Sequence, residues 1–244
     1  MIINALYRIS NGSYDKDRIA TKERCLQNFV ETFMWWDTDK LVMLEDGCNR
    51  NTAKMVFEVI AGGHFTKQVN LDKPSYELYE IHAGSSAQSF NVALDYALKL
   101  TDEEYVYFVE DDYLHWPECR KVMEEGLQRA HYVSLYDHPD KFINVEDGGN
   151  PHVTDGGEIT RVFRTPMCHW KLTNSTTMTF ATSVRILHAD EHIWRKYTTG
   201  TYPRDFDAFI ELRNIGRTLA TPIPGYSTHT ERKWLSPYRD WSKV

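Results

Sequence analysis

Apolar residues in the first half of the chain follow two alternating rhythms. Short segments at 2–7, 41–44, 79–82 and 105–109 read as strands, those at 41–44 and 105–109 as buried ones. Between them Leu26, Phe29, Val30 and Phe33 fall at helical spacing and predict an amphipathic helix over 21–33. A second helix is expected over 52–60, and Phe90, Ala93, Leu94, Ala97 and Leu98 mark the stripe of a third. Such alternation predicts an α/β fold with a Rossmann-like, mostly parallel sheet flanked by helices. The polar turn Ser10-Asn11-Gly12-Ser13 follows the first strand.

The second half is less regular. Pro117 opens a helix expected to run to about 130, with proline at a first-turn position. Residues 137–158, rich in Gly, Pro, Asp and Asn, predict a long loop of the kind that often carries function. Segments 159–163, 170–172 and 178–181 predict mixed or antiparallel strands, and 183–197 and 205–215 predict helices, the latter stopped by Gly216. The proline-rich, aperiodic tail is expected to lie across the surface of a single domain spanning 1–244.

Composition narrows the class. A hydrophobic fraction of 41% over 244 residues supports a globular core. A net charge of −7 gives nucleic-acid binding no basic face. Cys25, Cys48, Cys119 and Cys168 are widely spaced without a CxxC pair, which fits reduced thiols better than disulfides or zinc. The opening apolar run is too short for a signal peptide, and no stretch approaches a membrane span, so a cytoplasmic protein is expected.

The candidate chemistry starts at Glu110-Asp111-Asp112, directly behind the run Tyr105-Val106-Tyr107-Phe108-Val109. Ligands of open α/β sheets bind where strands end. Three adjacent carboxylates repel one another unless a cation lies among them, and hard oxygen donors suit Mg²⁺ or Mn²⁺ bridging to phosphates. The bland alternative is an acidic loop before the next helix.

Five features then occur in order: Leu44-Glu45-Asp46-Gly47; the segment Ala83-Gly84-Ser85-Ser86-Ala87-Gln88-Ser89-Phe90-Asn91; Glu110-Asp111-Asp112; Asp205-Phe206-Asp207 ahead of Gly216; and His229 in the tail. Together they resemble the family-2-like glycosyltransferases of the GT-A fold, over most of the chain. The resemblance implies a nucleotide-sugar-binding half over 1–115 and a smaller mixed or antiparallel acceptor-binding half, with the tail, over 116–244. It also implies transfer of a sugar from a nucleoside diphosphate, UDP by preference, to a hydroxyl with inversion.

On that resemblance Glu110-Asp111-Asp112 is similar to the DxD motif. Asp112 is then the ligand of Mn²⁺ (or Mg²⁺), with Asp111 and Glu110 supporting it and His229 as a second ligand. Asp46 matches the acid that contacts uracil or ribose, and a simple turn acid before Gly47 is the alternative. Tyr7, Arg8 and Ser10 lie where the nucleotide-binding loop begins. Gly84 and Ser85 precede a helix whose N-terminus would face the diphosphate, although Ser85 also reads as a plain N-cap. Counting back from Gly216 places the acceptor-activating base on Asp205 and the second acid on Asp207. Arg204 stands where the family commonly has Glu, which leaves either Asp open; both also suit a helix N-terminus.

Trp170, near an expected loop edge, is a candidate for stacking on an acceptor sugar, with core packing as its alternative. Two rival functions remain: a nucleotidyltransferase making nucleotide sugars, and a non-catalytic carbohydrate- or nucleotide-binding module. The first usually opens with a Gly-rich loop and a basic residue, whereas Arg8 here is followed by a single glycine, Gly12.

Overall fold

The computed structural model describes residues 1–12, 17–62, 75–153 and 156–244. Ser13 of the expected turn, and 154–155 of the expected loop, lie outside the described residues. The first half reads β1 (Ile3–Ser10), α1 (Lys22–Thr32), β2 (Lys40–Asp46), α2 (Arg50–Ala61), β3 (Ser75–Ile81), α3 (Ser86–Ala97), β4 (Tyr105–Glu110) and β5 (Tyr113–His115). The second half reads α4 (Cys119–Leu127), β6 (Tyr132–Val133), β7 (Val162–Arg164), β8 (His169–Thr173), β9 (Phe180–Ser183), α5 (Val184–Tyr197), α6 (Asp205–Asn214), β10 (Leu219–Ile223) and β11 (Ser227–His229).

Nine strands form one sheet in the order β3-β2-β1-β4-β9-β6-β10-β8-β7. The first four are mutually parallel. Only β9 and β8 run against the rest, and they fall in the second half. The expected α/β architecture, mostly parallel with a mixed portion, is the one observed.

Strand alternation sends side chains to two cores, one on each face. Ile3, Ala5, Tyr7 and Ile9 of β1 pack with Leu26, Phe29 and Phe33 of α1. Leu6 of β1 and Val106 and Phe108 of β4 meet Phe90 of α3 and Trp194 of α5 on the other face. Strands covered on both faces carry unbroken apolar runs, which explains why they were legible.

Tyr7 is therefore a core residue and not a nucleotide contact. It is fully buried, with its ring 5.6 Å from Phe29. The period of two turns Arg8 to the opposite face, where its guanidinium lies 5.6 Å from the Phe90 ring.

Trp170 is a second correction. It is fully buried, stacked on Phe163, and its Nε1 donates to Thr165 Oγ1 at 2.8 Å. No face is left for a sugar. Gly126 of α4 makes room for the indole: a Cβ there would lie 2.5 Å from Trp170 Cη2. Trp170→Ala is expected to destabilise the protein by about 3–5 kcal/mol, read from the shift of a urea midpoint. A loss below ~1 kcal/mol would mean the ring is dispensable to packing.

The tail also departs from expectation. Instead of crossing the surface, β10 inserts between β6 and β8. Pro222 obscured this strand, and it is tolerated because pairing with β6 stops at Ala220. β11 pairs with β5 as a separate antiparallel ribbon. Strands this short carry no period to read. Within the expected loop, residues 137–153 are tied down by Asn150, whose Nδ2 donates to Asp140, Asn174 and Ser175 at 3.1–3.2 Å. Among the described residues no helix is long and apolar enough to cross a membrane.

Candidate active site

Sheet register assembles the site. Arg8 of β1 lies opposite Glu110 of β4, and Ser10 opposite Asp46 of β2, so all four stand at the carboxyl ends of parallel strands. There a cleft of about 600 Å³ opens. Of the residues singled out from the sequence, Arg8, Ser10, Asp46, Gly84, Ser85, Glu110, Asp111, Asp112 and His229 line it. Tyr7, Trp170, Asp205 and Asp207 do not.

Each acid of the triplet meets a basic side chain. Arg8 Nη2 lies 3.2 Å from Glu110 Oε1, Lys22 Nζ 2.8 Å from Asp111 Oδ2, and Arg18 Nη2 3.1 Å from Asp112 Oδ2. Asp111 Oδ2 also accepts the Ser10 N–H at 2.9 Å. The repulsion that suggested a metal is thus already relieved in part by the protein. Burial still raises Asp111 above the usual carboxylate range, against the pull of Lys22. Glu110 is pushed up to about 7, chiefly by burial, with Asp112 and Asp205 adding to it and Arg8 opposing.

Arg18 and Lys22 were missed in the sequence. Lys22 had a signal: it opens α1, and a cation is unfavourable at a helix N-terminus unless something else holds it. Arg18, between a turn and a helix, offered none.

The segment Gly84-Ser85 shapes the opposite wall. Gly84 takes φ +77°, a left-handed conformation that favours glycine. Ser85 caps α3, accepting the Gln88 N–H at 3.2 Å, so its N-cap role is real. Asp46 Oδ1 accepts the Ala83 N–H at 2.9 Å and ties β2 to this segment.

Asp205 and Asp207 differ sharply. Asp205 heads α6, and its Oδ1 accepts the Phe206 N–H at 2.9 Å. Burial pushes its carboxyl up to about 6, with Asp140 and Asp207 adding. Asp207 is half exposed and sits 3.6 Å from Arg204, a surface pair one turn apart.

His229 comes from β11, which the β5 ribbon lays beside Asp112. Its Nε2 is 3.1 Å from Asp112 Oδ2. Its Nδ1 accepts the Glu231 N–H at 3.1 Å, an arrangement that assigns the ring proton to Nε2. Among the described residues no group of three or more His, Cys, Asp or Glu side chains is arranged around a metal position. A divalent ion with bonds of ~2.1 Å places adjacent ligands about 3 Å apart. The Asp112–His229 pair would offer such an ion two donors only once Asp112 Oδ2 releases the Arg18 guanidinium. Ligation by His229 requires its proton to move to Nδ1 and the Glu231 N–H to find another acceptor.

Sheet, cleft and strand order define a GT-A-like fold, that of the glycosyltransferases. S. aureus TarS is similar in structure, with a TM-score of 0.54 and 14% identity over 93% of this chain and 36% of its own. Its 1–349 fragment gives 0.50 and 12% over 93% and 60%. The galactosyltransferase LgtC, in complex with donor and acceptor sugar analogues, gives 0.47 and 8% over 89% and 72%. This chain therefore spans less than two thirds of either TarS chain, and identities this low speak to the fold alone. No protein-family model matches the sequence, and no curated protein does.

Proposed function

We propose that the protein transfers a sugar from a nucleoside-diphosphate donor, with UDP the expected nucleotide, to a hydroxyl acceptor with inversion. The observation that carries this reading is the convergence of Asp46, the Glu110-Asp111-Asp112 triplet and the α3 N-terminus on one cleft at the sheet's carboxyl edge. Residues 1–115 form most of the donor side, and later residues supply Asp205 and the acceptor side.

Asp46 faces the nucleoside, while the α3 N-terminus and Arg18 and Lys22 face the diphosphate. Charge balance supports a cation. Among the described lining residues, Arg8, Arg18 and Lys22 oppose Asp46, Asp111, Asp112 and a Glu110 that burial leaves partly protonated near pH 7, and a bound diphosphate adds further negative charge. Asp112 and His229 would hold Mn²⁺ or Mg²⁺, which when bound supplies Lewis-acid neutralisation of the departing diphosphate.

Asp205 accepts the proton of the acceptor hydroxyl as the new bond forms. A single displacement inverts the anomeric centre, by the geometry known from sugar hydrolysis. The test is turnover of a nucleotide-sugar panel with and without Mn²⁺. Failure of every nucleotide to bind in the cleft would overturn the reading, and conversion of a nucleotide sugar plus added pyrophosphate to nucleoside triphosphate and sugar 1-phosphate would point to the nucleotidyltransferase.

The raised Asp205 carboxyl gives a pH signature. A base must be deprotonated, so kcat should fall about tenfold per unit as pH drops below about 6. A profile flat from pH 7 to 4.5 would remove Asp205 from the role.

A further inference from the structure

A second cavity, of about 430 Å³, lies apart from the donor cleft, and no residue lines both. Its wall joins α6, the start of β10, the end of β8 and residues on either side of 154–155. Five charged side chains contribute to it: Glu158, Arg161, Arg213, Arg217 and, when protonated, His152.

Three of them have settled partners or roles. Arg217 grips buried Asp190, with Nη2–Oδ1 at 2.7 Å and Nε–Oδ2 at 2.8 Å. Glu158 Oε1 accepts the Asn174 N–H at 3.1 Å, and its Oε2 lies 3.4 Å from Lys171. His152 stacks on Phe206, 5.4 Å between ring centres. Arg161 and Arg213 remain, with no ion-pair partner among the described residues. Two guanidiniums without an ion-pair partner among the described residues thus share one cavity on a protein whose net charge is −7.

We propose that this cavity binds a phosphate-bearing ligand. Each guanidinium offers a planar fork that meets phosphate oxygens in parallel pairs. Two positive charges match a phosphate monoester dianion better than a single carboxylate. The volume exceeds that of bare phosphate, and Leu172 and Leu219 supply apolar wall for an attached carbon skeleton.

The cavity is linked to the acceptor side of the active site. Arg213 and Asp205 sit eight residues apart on α6, about 12 Å along its axis, and His152 packs on the residue after Asp205. A phosphate held here is either a free ligand or part of the acceptor itself.

Titration of the full chain with inorganic phosphate and with glucose 6-phosphate, followed by calorimetry, tests the site. Both should bind, glucose 6-phosphate more tightly. Arg161→Gln and Arg213→Gln should each weaken binding about tenfold while leaving UDP binding unchanged. If the phosphate belongs to the acceptor, inorganic phosphate raises the acceptor KM and Arg213→Gln abolishes that competition. If it is a free ligand, acceptor KM stays constant. Absence of binding, binding indifferent to both substitutions, or complete displacement by UDP would each overturn the proposal. The UDP measurement separates this failure from failure of the donor cleft.

Discussion

Asp205→Asn is expected to lower kcat by 10²–10⁴-fold, about 3–5 kcal/mol of transition-state stabilisation, with donor affinity nearly unchanged. An amide has the shape of the carboxylate and can still accept the Phe206 N–H that Asp205 Oδ1 holds at 2.9 Å. It cannot take a proton. The loss should therefore appear in single-turnover transfer rates and not in nucleotide binding or thermal stability. Asp207→Asn is the matched control. Its half-exposed pair with Arg204 is worth less than about 1 kcal/mol, so its activity should stay within roughly threefold of the parent. Equal losses in both variants would show that the head of α6 matters as a structure and not as a base.

Asp112→Asn should act on the other half of the reaction. Removing its charge takes away the one carboxylate that both Arg18 and His229 approach at 3.1 Å. Mn²⁺-dependent binding of UDP is expected to fall at least about 100-fold, in the range that loss of a metal-site group produces. The stabilisation that Mn²⁺ with UDP confers on the parent, seen as a rise in Tm, should vanish. Stability without ligand should change little, because the ion pair is partly exposed and one carboxylate among several is lost. A variant that still responds to Mn²⁺ as the parent does would move the cation away from Asp112.

The first half of the fold was legible because β1, β2 and β4 are covered on both faces and its helices on one. Tyr105 to Val109 and the stripe at Phe90, Ala93 and Leu94 left little ambiguity. β10 was hidden by Pro222, and β5, β6 and β11 by their brevity. The cleft was legible for a different reason: parallel pairing brings the ends of β1, β2 and β4 to one edge, so residues that follow apolar runs meet there. Arg18 and Lys22 escaped notice because cations arriving from a loop and a helix start obey no strand rhythm. Trp170 and Tyr7 misled in the same way. An aromatic near a strand end looks available to a ligand until the sheet's alternation assigns its face, and for both that face is the core.

The β5–β11 ribbon has a consequence for the order of events during synthesis. Asp112 emerges from the ribosome more than a hundred residues before His229, and β11 must fold back across the finished sheet to reach it. A nascent chain arrested before residue 227 would therefore lack β11 and with it the His229 wall of the cleft. On the proposed reading, donor uptake depends on the β5–β11 pairing that brings His229 to Asp112.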